Sequence, residues 1–447
     1  VRFLSLILII PWVASAAGPF YVMTNGNNAS DGLAPATAWL TIDKAIGSAG
    51  TATIYVGQGY YKTNATDGNP LIFSTANQNY VCSNNVVLSQ VFFTAKNVTL
   101  TNAQIGYRFF GGFFTDPVVW FKSGSEGTVL GGGKVFSAAR QNQVGVIFDS
   151  NFGTVVGTEF TQFGPSGVCV QFGGSTNQFV NCFVHDNPSV ESVFYIWGMY
   201  HLISSCTISN NNDVALPGSH PDIFQSFFAT SWGHVISNNF IINNNCQIGS
   251  LQAVDGPDGG TYATNTGGWI LANNVFINQG SKLDVDFRDM QFINNTFYNC
   301  NNSTTEPQVF NLNWSIFGCG TNAVVVNNLF ALCGNDPTST SQGWFGIDEG
   351  TNTSNLIRNS TTSSNNMVTG SAFAAKNTNA MIGVNWVNGG SPKFLLADAT
   401  RIKVLNLNGT TSANATTNII GTNTSFATQL SIGDHITLGP YWTDTVA

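Results

Sequence analysis

The segment PGSHPDIFQS, Pro217 to Ser226, gathers His220, Asp222 and Gln225 in a chain of which only 9% is charged. An imidazole beside a carboxylate moves a proton near neutral pH. On a strand, a two-residue spacing puts both side chains on one face. His220 and Asp222 are therefore the candidate acid/base pair, and Gln225 is a candidate substrate ligand. The competing reading is that they brace a Pro-rich turn by bonding backbone amides.

KLDVDFRD, Lys282 to Asp289, is a second cluster. Asp284 and Asp286 alternate around Val285, and the spacing carries Arg288 onto the same face. Two carboxylates beside a guanidinium suit calcium-assisted removal of a proton next to a uronate. Asp284 and Asp286 are thus candidate Ca2+ ligands and Arg288 a candidate catalytic base, although an Arg base needs an unusual local pKa. A salt-bridged outer face is the alternative. Asp255 and Asp258 sit in the Gly- and Pro-rich run VDGPDGG, which can fold over a groove or simply cap its own turns. Hydrolysis of a glycoside uses two carboxyl groups about 5 to 10 Å apart. Asp222 can meet Asp255, Asp258 or Asp286 across neighbouring strands spaced about 4.8 Å. His185, in HDNPSVE, and Trp232, a stacking platform for a sugar ring if exposed, complete the substrate-binding candidates.

The elements that must hold these residues announce themselves as a repeat. QFVNCFVHDN, HLISSCTISNNN, HVISNNFIINNN, WILANNVFINQG, MQFINNTFYNC and VVVNNLFALCGN begin at 178, 201, 234, 269, 290 and 324. Each reads as a short alternating apolar strand, a polar break and a second such strand. Asn tolerates left-handed backbone geometry and bonds its own backbone, so the break is a tight bend. One such unit cannot bury its apolar face alone, whereas stacked units share a continuous core, with Asn at matching bends forming polar ladders.

These stacked NNxF-type bends resemble the right-handed parallel β-helix proteins of the pectate-lyase-like superfamily. FYVMTNGNNASDGLAPATAWLTIDKAIGSAG (20–50) resembles the opening of many members, where a strand and turn lead into a capping helix. The residues agree: Thr41 can cap a helix from about Ile42, Asp43 lies in its first turn, and Gly47 or Gly50 ends it. The expected architecture is all-β, a right-handed parallel β-helix solenoid with an N-terminal capping helix and a small C-terminal β module. HPDIFQ also resembles H-x-D-x-x-Q phrases of secreted β-helix proteins. The superfamily holds lyases, hydrolases, epimerases, tail proteins and adhesins, so the resemblance speaks to fold and not to activity.

The boundaries expected are a signal peptide at 1–17, with Arg2, the apolar run Leu4 to Val13 and Ala14-Ser15-Ala16 as cleavage pattern; the β-helix at 18–395; and the β module at 396–447. The charge is −8, from 15 Lys and Arg against 23 Asp and Glu, with no basic tract for nucleic acid. No later run reads as a membrane span. Several N-x-S/T sequons, Asn64 and Asn294 among them, mark glycosylation sites in an exported chain. Eight cysteines without a C-x-x-C pair fit buried thiols or two or three bridges. The expectation is a secreted or cell-surface protein acting on a polysaccharide or cell-surface glycan as lyase or glycoside hydrolase, its groove around residues 185–290. The alternative is a non-catalytic rod such as an adhesin, filament subunit or tail-type protein, which can self-associate.

Overall fold

The structure, a computed structural model, describes residues 18–61, 70–106, 117–137, 143–188, 190–211, 221–227, 230–251, 265–285, 287–298 and 300. Asn265, Lys282 and Asp284 are described in backbone only, and beyond residue 300 so are the strands between 310 and 445. His220, Asp255, Asp258, Asp286 and the segment 1–17 lie outside the described residues.

The chain coils as a right-handed parallel β-helix. Each coil contributes one strand to each of three parallel sheets, which contain 13, 12 and 11 described strands. One coil runs Val235–Ser237 in the first sheet, Phe240–Ile242 in the second and Gln247–Leu251 in the third. Strands of three residues suffice because the centre of each points inward. In the first sheet Leu130, Val155, Phe179, Ile203, Ile236, Leu271 and Phe292 stand in register, each at most 1% exposed. Complete burial of such a side chain stabilises by about 1.5–3 kcal/mol. In the third sheet Phe73, Phe93, Phe121, Phe148 and Phe172 form a ring column at 5.3, 5.0, 4.7 and 5.1 Å.

Left-handed residues turn the chain at the corners. Between first and second sheets these are Asn181, Ser205, Asn238, Asn273 and Asn294, with φ between 53° and 58°. Between second and third they are Gln162, Asp186, Asn210, Asn243 and Asn278. The residue after each first corner points inward: Asn239 Oδ1 accepts from Cys206 N at 2.9 Å, and its Nδ2 donates to Ile203 O and to Asn274 Oδ1, both at 3.0 Å. Asn274 bonds Asn295 in the same way. A second ladder, Asn187–Asn211–Asn244–Gln279, lines the next corner. The sequence's ladders are thus real, and they satisfy corner backbone groups that no strand can reach. Cys182 and Cys206 take the Asn slot in earlier coils, and the six described cysteines are buried free thiols.

The third corner holds His201 and His234, stacked at 4.8 Å with 3° between ring planes. His201 Nδ1 accepts from Asn177 N at 3.1 Å while its Nε2 donates to Trp197 O at 2.7 Å. His234 Nδ1 accepts from His201 N at 3.0 Å. Both rings must be neutral, because a proton on either Nδ1 would face an N–H. Burial accordingly lowers the pKa of His201 from 6.5 to about 4, and burial next to His201 lowers that of His234. Folded pKa values below unfolded ones mean stability that is complete above pH 6.5 and lost as pH falls towards 4. For His201 the shift corresponds to about 3 kcal/mol. Urea unfolding at pH 7 and pH 4.5 should show this loss, and the double variant His201→Asn/His234→Asn should flatten it, Asn177 being the precedent for Asn in that slot.

The N-terminal end is closed by α1, Ile42–Ser48, with Ile42, Ala45 and Ile46 buried. Thr41 Oγ1 accepts from Lys44 N at 3.3 Å, as its position predicts. Gln78 Nε2 donates to Gly50 O at 2.9 Å and fastens the helix end to the coil beneath. Thr41→Ala should cost about 1 kcal/mol, read as a lower urea midpoint. Towards the C-terminus, the strands Thr410–Ala413 with Ile419–Thr422 and His435–Thr437 with Thr443–Thr445 form two antiparallel hairpins. No helix among the described residues is long and apolar enough to cross a membrane.

Candidate active site

The third sheet carries the one dense polar group of the HPDIFQ segment. Its strand Asp222–Ser226 pairs with Ser192–Ile196 before it and Gln247–Leu251 after it. Ile223 and Phe224 both lie in the hydrophobic core. Two successive inward residues require a bend, which leaves Asp222 and Gln225 as brackets on the outer side. Gln225 Nε2 donates to Asp222 Oδ2 at 3.0 Å, and Ser192 donates its hydroxyl proton to Gln225 Oε1 at 2.6 Å. Asp222 and Ser192 are 0% exposed and Gln225 6%. A carboxyl group held dry and oriented by an amide has the setting that acid/base chemistry uses.

Register extends this group along the sheet. Tyr195, Gln225, Ser250 and Asp284 occupy one position in four successive strands. Asp284 therefore stands two strands beyond Gln225, about 10 Å along the axis at ~4.8 Å per strand. Burial, aided by the charge of Glu191, raises the pKa of the Tyr195 phenol. Ser192, Tyr195 and Ser250 carried no signal in the sequence. Only the register of a strand class that lacks Asn punctuation brings Ser192 beside Asp222, and Tyr195 and Ser250 beside Gln225.

The other expected residues disperse. His185 belongs to the second sheet, on a different face, where Glu159 Oε1 bonds His185 Nε2 at 3.1 Å and Lys134 Nζ at 3.0 Å. His185 Nδ1 also meets Asp186 Oδ2 at 2.8 Å. Arg288 does not continue the face of Asp284: that strand ends at Val285, Phe287 turns into the core, and Arg288 bridges to Gly267 at the corner. There its guanidinium lies 5.3 Å from the ring centre of Trp232. Calcium takes six to eight oxygen ligands. Among the described residues no group of three His, Cys, Asp or Glu gathers to hold a metal ion; Asp286 and the Asp284 side chain lie outside them.

No protein-family model matches the chain, and no curated protein does. Solved structures do match. An alginate lyase, AlyGC, is similar at 11% identity over 84% of this chain and 55% of that one, with a TM-score of 0.53. A rhamnogalacturonan lyase is similar at 13% identity over 78% and 87%, with a TM-score of 0.42. A lacto-N-biosidase from Eubacterium ramulus is similar at 7% identity over 79% and 68%, with a TM-score of 0.43. At 11% identity the likeness to AlyGC shows the fold alone, a right-handed parallel β-helix.

Proposed function

We propose that this is a secreted protein that cleaves a polysaccharide, as a lyase or a glycoside hydrolase, on the outer face of the third sheet. The observation that carries the reading is the buried relay Ser192–Gln225–Asp222 on that face, in line with Ser250 and Asp284. A carboxyl group that is 0% exposed is costly to bury, and a function for Asp222 explains that cost. Asp222 serves as the acid or base, and His220, two residues earlier in sequence, is its proposed partner. Asp284, two strands on in the row of Gln225, is proposed as a further carboxylate that the substrate meets along the same face.

The test is a screen of purified protein on uronate-containing and neutral polysaccharides. A lyase leaves an unsaturated uronate end that absorbs in the ultraviolet, and a hydrolase leaves reducing ends alone. Activity that survives replacement of both His220 and Asp222 by Ala would remove the site from this face. Calcium at Asp284 and Asp286 belongs to the same proposal: EDTA is expected to stop turnover and added Ca2+ to restore it, and turnover indifferent to EDTA removes the ion. The second reading, a non-catalytic rod, is favoured by the buried corner ladders, which need no ligand to be stable. Absence of turnover on every glycan would select it.

A further inference from the structure

The first sheet differs from the other two in charge. None of its 13 strands, from Phe20–Val22 to Thr362–Ser364, contains Asp, Glu, Lys, Arg or His. The second sheet carries Lys134, Glu159 and His185, and the third carries Asp222 and Asp284. From Thr99–Thr101 to Gln291–Ile293 the centre of each first-sheet strand fills the core and its two flanks point outward. Val156 and Val180 stand in register in one outward row, and Leu202, Val235 and Ile270 in the other. All five are only partly buried. At the N-terminal end of the same face Tyr21 and Tyr55 stack at 5.6 Å, and Tyr55 is 43% exposed.

Such a face suits another protein surface. The centres of protein interfaces are poor in charge and rich in aromatic residues. Val and Ile are stiff at the first side-chain torsion, so docking freezes little that was free. The size agrees. At ~4.8 Å per strand the 13 strands make a face about 60 Å long, and strands of three residues make it about 10 Å wide. Two such faces together cover roughly 1,200 Å², the size at which specific interfaces begin. Charge then selects the partner. The chain carries a net charge of −8, so two copies repel through most approaches. Of the three sheets, the first alone brings no charged strand residue to a contact. Its rows also repeat every ~4.8 Å, and an identical face has the same repeat.

We propose that the outer face of the first sheet docks a second copy of this chain, the two copies related by a two-fold axis through the middle of the face. The copies then lie end for end, and the Tyr21–Tyr55 pair of one meets the Ile270 end of the other. An aromatic anchor therefore sits at both ends of the contact, with Val156, Val180, Leu202 and Val235 between. The third sheet, where Asp222 lies, takes no part. The inference is thus independent of whether that sheet cleaves a polysaccharide.

The experiment is analytical ultracentrifugation of the full chain from nanomolar to high micromolar concentration, for wild type and for three variants. Wild type should pass from monomer to dimer as concentration rises. Val180→Lys/Leu202→Lys sets like charges across the contact and should weaken the dimer about a hundredfold or more. Val180→Thr/Leu202→Thr keeps strand-forming residues of a type the face already holds at Thr99, Thr101 and Thr154, and should weaken it about tenfold. This milder pair keeps the test valid if the lysine pair fails to fold, and its urea midpoint should match that of wild type. Thr207→Lys, in the second-sheet row that already holds Lys134 and Glu159, should leave the dimer unchanged. Added salt should tighten the dimer by screening the net charge. A wild type that stays monomeric throughout overturns the proposal. So does a dimer that survives both first-sheet pairs, one that Thr207→Lys weakens equally, or one that salt dissolves.

Discussion

Asp222→Asn is expected to lower polysaccharide turnover by about a thousandfold, the scale of a lost general acid or base, and to leave the fold intact. Asn has the shape of Asp and keeps an oxygen for Gln225 Nε2, so the relay to Ser192 survives while the transferable proton does not. Stability measured alongside activity distinguishes this from simple damage: the urea midpoint should move little. Asp222→Ala should behave differently, because it leaves the Gln225 amide facing a hole in a fully buried site. A thousandfold loss in the Asn variant without a stability change assigns the carboxyl group to chemistry. A variant with full activity assigns it to the fold.

The second large effect is expected at the corner ladder. Asn239→Ala deletes the acceptor for Cys206 N and the donors to Ile203 O and Asn274 Oδ1, in a position that is 0% exposed. Buried groups left without partners cost about 1–3 kcal/mol each, so a loss of roughly 3–5 kcal/mol should appear in equilibrium unfolding. Asn239→Asp should be at least as harmful: it retains the acceptor but turns a carboxylate towards two oxygens. The external pair Asn243 and Asn278, joined at 2.7 Å in solvent, is the control. There Asn243→Gly, which keeps the left-handed backbone, should cost well under 1 kcal/mol, because water replaces the lost bond.

These residues also show how far the sequence reaches. The Asn-marked phrases are the first two strands of each coil and the corner between them. HVISNNFIINNN is Val235–Ser237, Asn238 and Phe240–Ile242. Left-handed corners favour Asn, and in the phrases from 234 to 300 that preference writes the repeat into the sequence. The capping helix was legible for the same local reason, since Thr41 is a side-chain cap. The third strand of the coil has no such mark. SVFYI, DIFQS and QIGSL share a fold position and almost no residue types. The candidate site sits on that silent strand, so its neighbours were invisible until register was known. Spacing also misled where a strand ended early, as at Arg288, and where a polar residue turned inward. His234, which opens the repeat that follows the HPDIFQ segment, is such a residue and joins the core stack.

The most direct measurement of the central claim is a crystal structure of the Asp222→Asn protein with an oligosaccharide cut by the wild type. The scissile bond should lie across the outer face of the third sheet, within hydrogen-bond distance of Gln225 and the substituted position, with the chain running along the row towards Asp284. A sugar seated instead on the second sheet beside His185 and Glu159, with the Ser192–Gln225 pair still closed and dry, would contradict the account.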